Sequence, residues 1–402
     1  MTVVGISGRR ALRVCVASHH NAWPAGYKGL AYEAAEAIAS TVDATVVAPR
    51  ERPPTRARAW TSRARHKLTG VRSPEMQPQR VTDRFDLFLY LCMGPTHLVE
   101  VEQIEGWRER SGKAAVFLWE SWTALAETDR AYYRMLDQFD HVFVFNPSSL
   151  EAVQRHTSTP CSYLPAGADC VLASPGPGQG PRPIDVYGMG RVDPTVHAQL
   201  VDLTLAGRLT YLWDTAPPQS PPTGYLQPRQ RTYNLIRNSR FFLSFNFSIP
   251  SEKSAREARG EEAIPARVFE GAAGGAVLLG SAPPLAEYEA LFDWPDALIE
   301  TPRDPVDMGA FMADLARQPE RIRRAGLLNA TQSLRRHDWA YRWEEMLRVL
   351  DLPVPSGVAE RKARLAALAD AAEEGLARRA LRPASARAVV APAPLDEARA
   401  TG

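Results

Sequence analysis

The chain has 402 residues, room for two or three domains of ordinary size. Hydrophobic residues make up 45% and charged ones 23%, the balance of a globular protein with ample material for a core. Forty-eight basic against 46 acidic side chains leave a formal charge of +2, without the basic surplus of a dedicated nucleic-acid binder. Cys15, Cys92, Cys161 and Cys170 lack metal-ligand or redox spacing and read as reduced thiols of a cytoplasmic protein. No run approaches the roughly 18 to 20 apolar residues of a spanning helix. Arg13 interrupts the N-terminal apolar run and no small-residue cleavage site follows, so that run reads as a strand, not an export signal. Peripheral contact with the inner membrane face stays open.

Residues 12–17 are apolar and rich in β-branched side chains, and the spacing after the loop 18–29 predicts a helix over 30–40. A second strand follows at 41–49. Further strands are expected at 86–93, 114–120 and 141–146, with helices around 96–110 and 124–138 between them. A helix capped by Ser148 or Ser149 and a last strand and turn at 161–169 complete the run. This alternation predicts a doubly wound parallel sheet within residues 1–170. Between its second and third strands, residues 50–80 carry eight Arg and Lys67 against Glu51 and Glu75. That segment reads as a mobile, solvated loop, with docking on an anionic surface as the alternative.

Residues 171–183 have the Pro and Gly content of a linker, after which the βα pattern restarts over 184–354. Strands are expected at 184–190, 208–214 and 276–281, with a helix and strand within 234–247. Helices are expected at 194–207 and 305–317, with a polar loop and helix at 250–274, an amphipathic run over 319–350 and a Pro-rich irregular stretch at 216–230. Residues 355–402 read as a helical run to about 382 followed by a disordered Pro/Ala tail.

The most informative segment is EEAIPARVFEGAAGGAVLLG, residues 261–280, in which seven residues separate Glu262 from Glu270. With Pro265, Arg267, Phe269 and the small residues from Gly271 onward, it resembles the E-x7-E region of group 1 GT-B glycosyltransferases. RRHDWAYRWEEML at 335–347 is similar to the C-terminal HDW-type helix of one bacterial branch of these enzymes. Here Asp338 reads as a helix cap and Trp339 and Trp343 as packing. CSYLPAGAD at 161–169 resembles the LP-x-G-x-D turn that ends their first domain, with Gly167 for the turn and Asp169 at the hinge.

The resemblance implies an α/β GT-B fold of two Rossmann-like parallel-sheet domains with a cleft between them. It implies sugar transfer from a nucleotide-diphosphate sugar to an acceptor hydroxyl, with retention, without metal and without a cofactor. Carried over, Glu262 lies near the donor sugar and Glu270 accepts from the ribose hydroxyls. Gly271 begins the small-residue run, and the helix start before Arg267 favours phosphate oxygens. DVYGMGRVDP puts Gly190 and Arg191 in a turn after a strand, where Arg191 points at the diphosphate. The third Gly and the later acidic residue of a dinucleotide fingerprint are missing, which disfavours a nicotinamide enzyme. Lys253 or Arg240 substitutes for the Lys that the family often carries. In the first half, Gly26 allows close backbone approach, and His19 and His20 are polar contacts on the acceptor side. Glu120, at a strand end, positions or deprotonates an acceptor hydroxyl, and Trp119 offers a face for a sugar. The acceptor class is a saccharide, a lipid-linked saccharide or a small molecule, with no nucleic acid. The alternative is a non-catalytic GT-B-like module that binds a nucleotide sugar or a partner protein.

Overall fold

The computed structural model describes residues 11–18, 29–53, 55–176, 180–214, 226–246, 258–303 and 305–380. The first half runs β1 (Arg13–Ala17), α1 (Gly29–Ala39), β2 (Asp43–Val47), α2 (Arg56–Thr69), β3 (Gln79–Arg80) and β4 (Phe85–Cys92). It continues through β5 (Ile104–Glu105), β6 (Ser111–Leu118), α3 (Thr123–Thr128), α4 (Arg130–Tyr133), β7 (His141–Val144), α5 (Leu150–Gln154), β8 (Cys161–Tyr163) and α6 (Cys170–Ala173). Six strands pair in parallel in the order β2-β1-β4-β6-β7-β8.

The strand sequences are apolar on both faces because both faces are covered. In β4, Leu87, Leu89 and Leu91 pack on one side, while Phe88, Tyr90 and Cys92 pack on the other. Two expected helices differ. Pro95–Gln103 forms a 3-10 turn that leads into β5, and 123–138 breaks into α3, α4 and a 3-10 turn at Arg134–Gln138. Ser149 stands at the cap position of α5 without a side-chain capping bond, and Asn146 caps the 3-10 turn Pro147–Ser149 before it, its side chain accepting from Ser148 N at 3.3 Å.

The second half runs β9 (Ile184–Met189), α7 (Pro194–Leu205), β10 (Tyr211–Asp214), α8 (Leu226–Arg237), β11 (Ser239–Ser244), α9 (Ala266–Ala273), β12 (Val277–Gly280), α10 (Ala286–Leu291) and β13 (Leu298–Glu300). These strands form a separate parallel sheet in the order β10-β9-β11-β12-β13. Then come α11 (Met308–Ala316), α12 (Pro319–Arg336), α13 (Trp339–Val349) and α14 (Ser356–Ala380). The amphipathic run over 319–350 is thus two helices, divided at His337 and Asp338. Residues 381–402 lie outside the described residues.

One continuous hydrophobic core joins the two halves. It includes Val14, Leu89 and Phe117 of the first sheet, Phe242 and Leu278 of the second, and Trp339, Trp343 and Leu365 of the last helices. The chain returns to the first half at Asp338, which bridges to Ala168 with parallel pairing. Gly167 is required there: a Cβ would stand 3.0 Å from both the His337 carbonyl and the Trp339 ring. Asp338 caps α13 by accepting from Ala340 N at 2.9 Å, and its carboxylate also takes Cys170 N at 3.0 Å and Arg361 Nε at 2.7 Å. Among the described residues, no helix is long and apolar enough to cross a membrane.

Candidate active site

Strand order locates the crevices. In the first sheet the chain leaves β1 toward β2 and later returns to the other side of β1 with β4. The opening therefore lies at the carboxyl ends of β1 and β4, at Ser18 and Met93–Gly94. In the second sheet β9 has β10 on one side and β11 on the other, so the opening lies at Gly190–Arg191 and Phe245–Asn246. His19, His20 and Gly26 follow β1 in sequence but lie outside the described residues, as does Lys253.

Three of the expected side chains lie in electrostatic reach of one another between the halves. Arg191 follows β9, Glu262 lies in the loop before α9, and Glu120 follows β6 of the first half; each is partly exposed. Burial lowers the Arg191 pKa, while Glu262 and then Glu120 act electrostatically to raise it. Both carboxylates therefore stand within Coulombic reach of one guanidinium. Arg191 Nη1 also donates to the Asn246 carbonyl across the β9–β11 crevice, at 3.4 Å.

Glu262 is held there by a loop docked on the first half. The neighbouring Glu261 accepts from Thr123 N, in the first turn of α3, at 2.8 Å and from Asn146 Nδ2 at 3.1 Å. Ser148 Oγ donates to the Glu262 carbonyl at 3.1 Å, and Trp122 packs against Ala258 and Ala263. Left-handed residues at Arg259 (φ 47°) and Gly260 (φ 86°) turn the chain into this position.

Arg267 sits beneath the β9 turn. Its Nη1 donates to the carbonyls of Met189 at 2.9 Å and Arg191 at 2.7 Å, and burial lowers its pKa to about 10. Gly190 adopts φ 71° with the guanidinium directly below: a Cβ there would meet Arg267 Nη2 at 3.1 Å. In this structure Arg267 shapes the turn that presents Arg191. Arg240 is at the other end of the sheet, at the start of β11, and pairs with Asp185 at 3.0 Å. It cannot reach a ligand at the carboxyl ends.

Three expected contacts are buried instead. Trp119 is 3% exposed and packs among Phe117, Phe145 and Trp339, with centroid distances of 4.5, 6.5 and 5.6 Å, so no ring face is left for a sugar. Gly271 faces the sheet, where a Cβ would lie 2.5 Å from both Leu278 and Phe242; it serves close helix–strand packing. Glu270 was expected to face an open cleft. It is 3% exposed, and its Oε1 accepts from Arg229 Nη1 at 2.5 Å.

That contact belongs to a buried ionic cluster the sequence reading did not include. Arg229 of α8 lies between Glu270 of α9 and Glu33 of α1, with its Nη2 2.6 Å from Glu33 Oε2 and its Nε at 2.8 Å from the same oxygen. Tyr233 Oη donates to Glu33 at 3.0 Å, Trp339 Nε1 donates at 3.2 Å, and Asp169 N donates to the same carboxylate. Burial raises the Glu33 pKa, and Arg229 acts against that rise. One guanidinium thus ties a helix of the first half to two of the second. The only sequence signal was Glu33 on an apolar helix face, three residues after Leu30 and four before Ala37, both buried.

His337 and Asp338 are structural, as read. His337 is fully buried among Phe269, Phe292 and Trp294, and burial, then Arg342 and Arg336, hold its pKa well below the usual value. Its Nε2 donates to the Leu291 carbonyl at 3.0 Å, and its Nδ1 accepts from Arg342 Nη2 at 3.1 Å. A second ring proton would point at that donor. A histidine neutral in the fold and titrating near 6.5 when unfolded contributes stability above about pH 6.5, which is lost as pH falls below it. Melting temperature should drop on acidification from pH 7 to 5, with a slope approaching about 1.4 kcal/mol per pH unit from this residue. His337→Gln should flatten that part of the profile; a profile identical to wild type would remove His337 as its source. Among the described residues, no three His, Cys, Asp or Glu side chains gather as a metal site.

Comparison with known proteins agrees with this architecture. Residues 193–348 match the family model described as Glycosyl transferase-like. Among curated proteins none matches the chain. Among solved structures, Anabaena Alr3699/HepE in complex with UDP and glucose superposes with a TM-score of 0.50 at 11% identity, covering 85% of this chain and 99% of that one. An alpha-glucosyltransferase in complex with UDP-glucose and DNA containing an abasic site superposes with a TM-score of 0.50 at 10% identity, again covering 85% and 99%. At these identities the likeness concerns the fold. The protein has the two-sheet GT-B architecture, with a glycosyl transferase-like match over its second half.

Proposed function

We propose that the protein transfers a sugar from a nucleoside-diphosphate sugar to an acceptor hydroxyl, with retention and without metal or cofactor. The observation that carries this reading is the docking of the Glu262 backbone on Ser148 of the first half, which leaves Glu262 and Glu120 both within Coulombic reach of Arg191 at the carboxyl ends of the two sheets. Residues 184–354 then form the donor domain, residues 1–170 the acceptor domain, and 171–183 the linker. The enzyme works in the cytoplasm.

In this mechanism Arg191 stabilises the charge that grows on the departing diphosphate. The amides of the first turn of α9 add to it, since Pro265 provides no side-chain cap there. Glu262 stands on the sugar side. Glu120 orients the acceptor hydroxyl, whose proton passes to the leaving phosphate on the same face. Positioning and charge stabilisation carry the catalysis. The docked 258–263 loop closes the cleft edge and limits hydrolysis.

A screen of UDP-, GDP-, ADP- and TDP-sugars tests the reading. The cognate donor at about 100 times its dissociation constant should stabilise the folded chain by about 2.7 kcal/mol. Slow release of the nucleoside diphosphate should accompany it. Stabilisation without release or transfer to any acceptor would leave the non-catalytic binding module as the better account. A flat screen would remove both.

A further inference from the structure

The basic segment expected as a loop carries α2, a helix with no buried residue. Thr55 caps its start by accepting from Arg58 N at 3.3 Å, and Gly70 ends it in the left-handed region at φ 77°. Two contacts hold it to the first half. Arg65 bonds both oxygens of Glu102, at 2.9 and 2.7 Å, and Ser62 Oγ accepts from Ser73 N at 3.2 Å.

The remaining side chains are sorted by helical spacing. Arg56, Trp60, Arg63 and Lys67 fall at i, i+4, i+7 and i+11 and share one face. All four are exposed, Trp60 to 70%, and Leu68 at the helix end is 86% exposed. None of Arg56, Arg63 and Lys67 pairs with a carboxylate among the described residues. A purely cationic face needs no partner beyond water. A tryptophan centred between three cations is different: it combines charge that favours phosphates with apolar area that water disfavours. A polyanion in solution satisfies the first part only. An anionic bilayer satisfies both, because an apolar layer lies directly beneath its charged one.

We propose that α2 docks the first half of the protein on an anionic lipid surface, with Arg56, Arg63 and Lys67 on headgroup phosphates and Trp60 at the interface. This docking is independent of the transfer reaction proposed above. The test is flotation of the full chain with vesicles of phosphatidylcholine alone or with about one third phosphatidylglycerol. Binding should require the anionic lipid and weaken with salt. The triple change R56E/R63E/K67E should reduce it by at least roughly 100-fold, at about fivefold per cation. Quenching of protein fluorescence by bromine-labelled acyl chains should be seen in wild type and lost in Trp60→Phe. Circular dichroism and melting of the variants should match wild type, because the altered side chains are exposed and pair with no carboxylate among the described residues. Equal binding to both vesicles, binding unaffected by the triple change, or binding of duplex DNA without vesicle binding would each overturn the assignment.

Discussion

Arg229→Met should cost about 3–5 kcal/mol of stability. The substitution keeps the side-chain volume and removes the guanidinium that bonds two buried carboxylates, Glu33 and Glu270. Each carboxylate is then left in the core facing a like charge. The folded pKa of Glu33, already raised by burial, should rise further once Arg229 no longer opposes it, so the folded state binds a proton the unfolded state does not. Stability of this variant is accordingly greatest in acid and falls as pH rises through that raised value. The triple variant Arg229→Met, Glu33→Gln, Glu270→Gln should recover much of the loss, because it buries no charge at all. Glu270→Gln alone should be mild, since Arg229 keeps Glu33. Glu33→Ala should be severe for another reason: Tyr233, Trp339 and Asp169 all lose their acceptor, at about 1–3 kcal/mol for each buried orphan. Urea titrations at pH 5 and pH 8 measure all of these. A triple variant no more stable than Arg229→Met would mean that packing, not charge, holds the cluster.

Arg191→Ala should lower kcat for sugar transfer by about 100- to 1,000-fold, the usual effect of deleting one preorganised charge at a developing anion. The expected split is informative. The diphosphate gains charge as the glycosidic bond breaks, so the loss belongs mainly to kcat, with a smaller rise in the donor KM. Arg191→Lys should restore part of the rate, because it returns the charge without the planar fork. Folding should be little affected, as the side chain is partly exposed and its bond to the Asn246 carbonyl is long, at 3.4 Å. An Arg191→Ala protein with wild-type kcat would transfer the role to another group and undo the reading of the cleft.

Periodicity and composition were sufficient for the elements that bury apolar residues by a regular rule. The strands of both sheets were legible because a strand covered on both faces is a short apolar run between turn residues. Asp338 as a cap was legible as well, since that role depends on local backbone geometry, whereas Gly167, read as a turn residue, is required by the close approach of His337 and Trp339 from the far end of the chain. Residues 50–80 were misread because α2 buries no residue, and an exposed helix leaves no hydrophobic period to detect. Trp119, Gly271 and Glu270 were placed in an open cleft because motif spacing carries residue type and chain distance but not depth. Their burial follows from α13 folding back on the first half and from Arg229 arriving from 41 positions away. The sequence alone therefore determined the two parallel sheets and the residues at their strand ends. Which carboxylate stays in water and which is locked under an arginine was decided by long-range packing, whose partners no local pattern specifies.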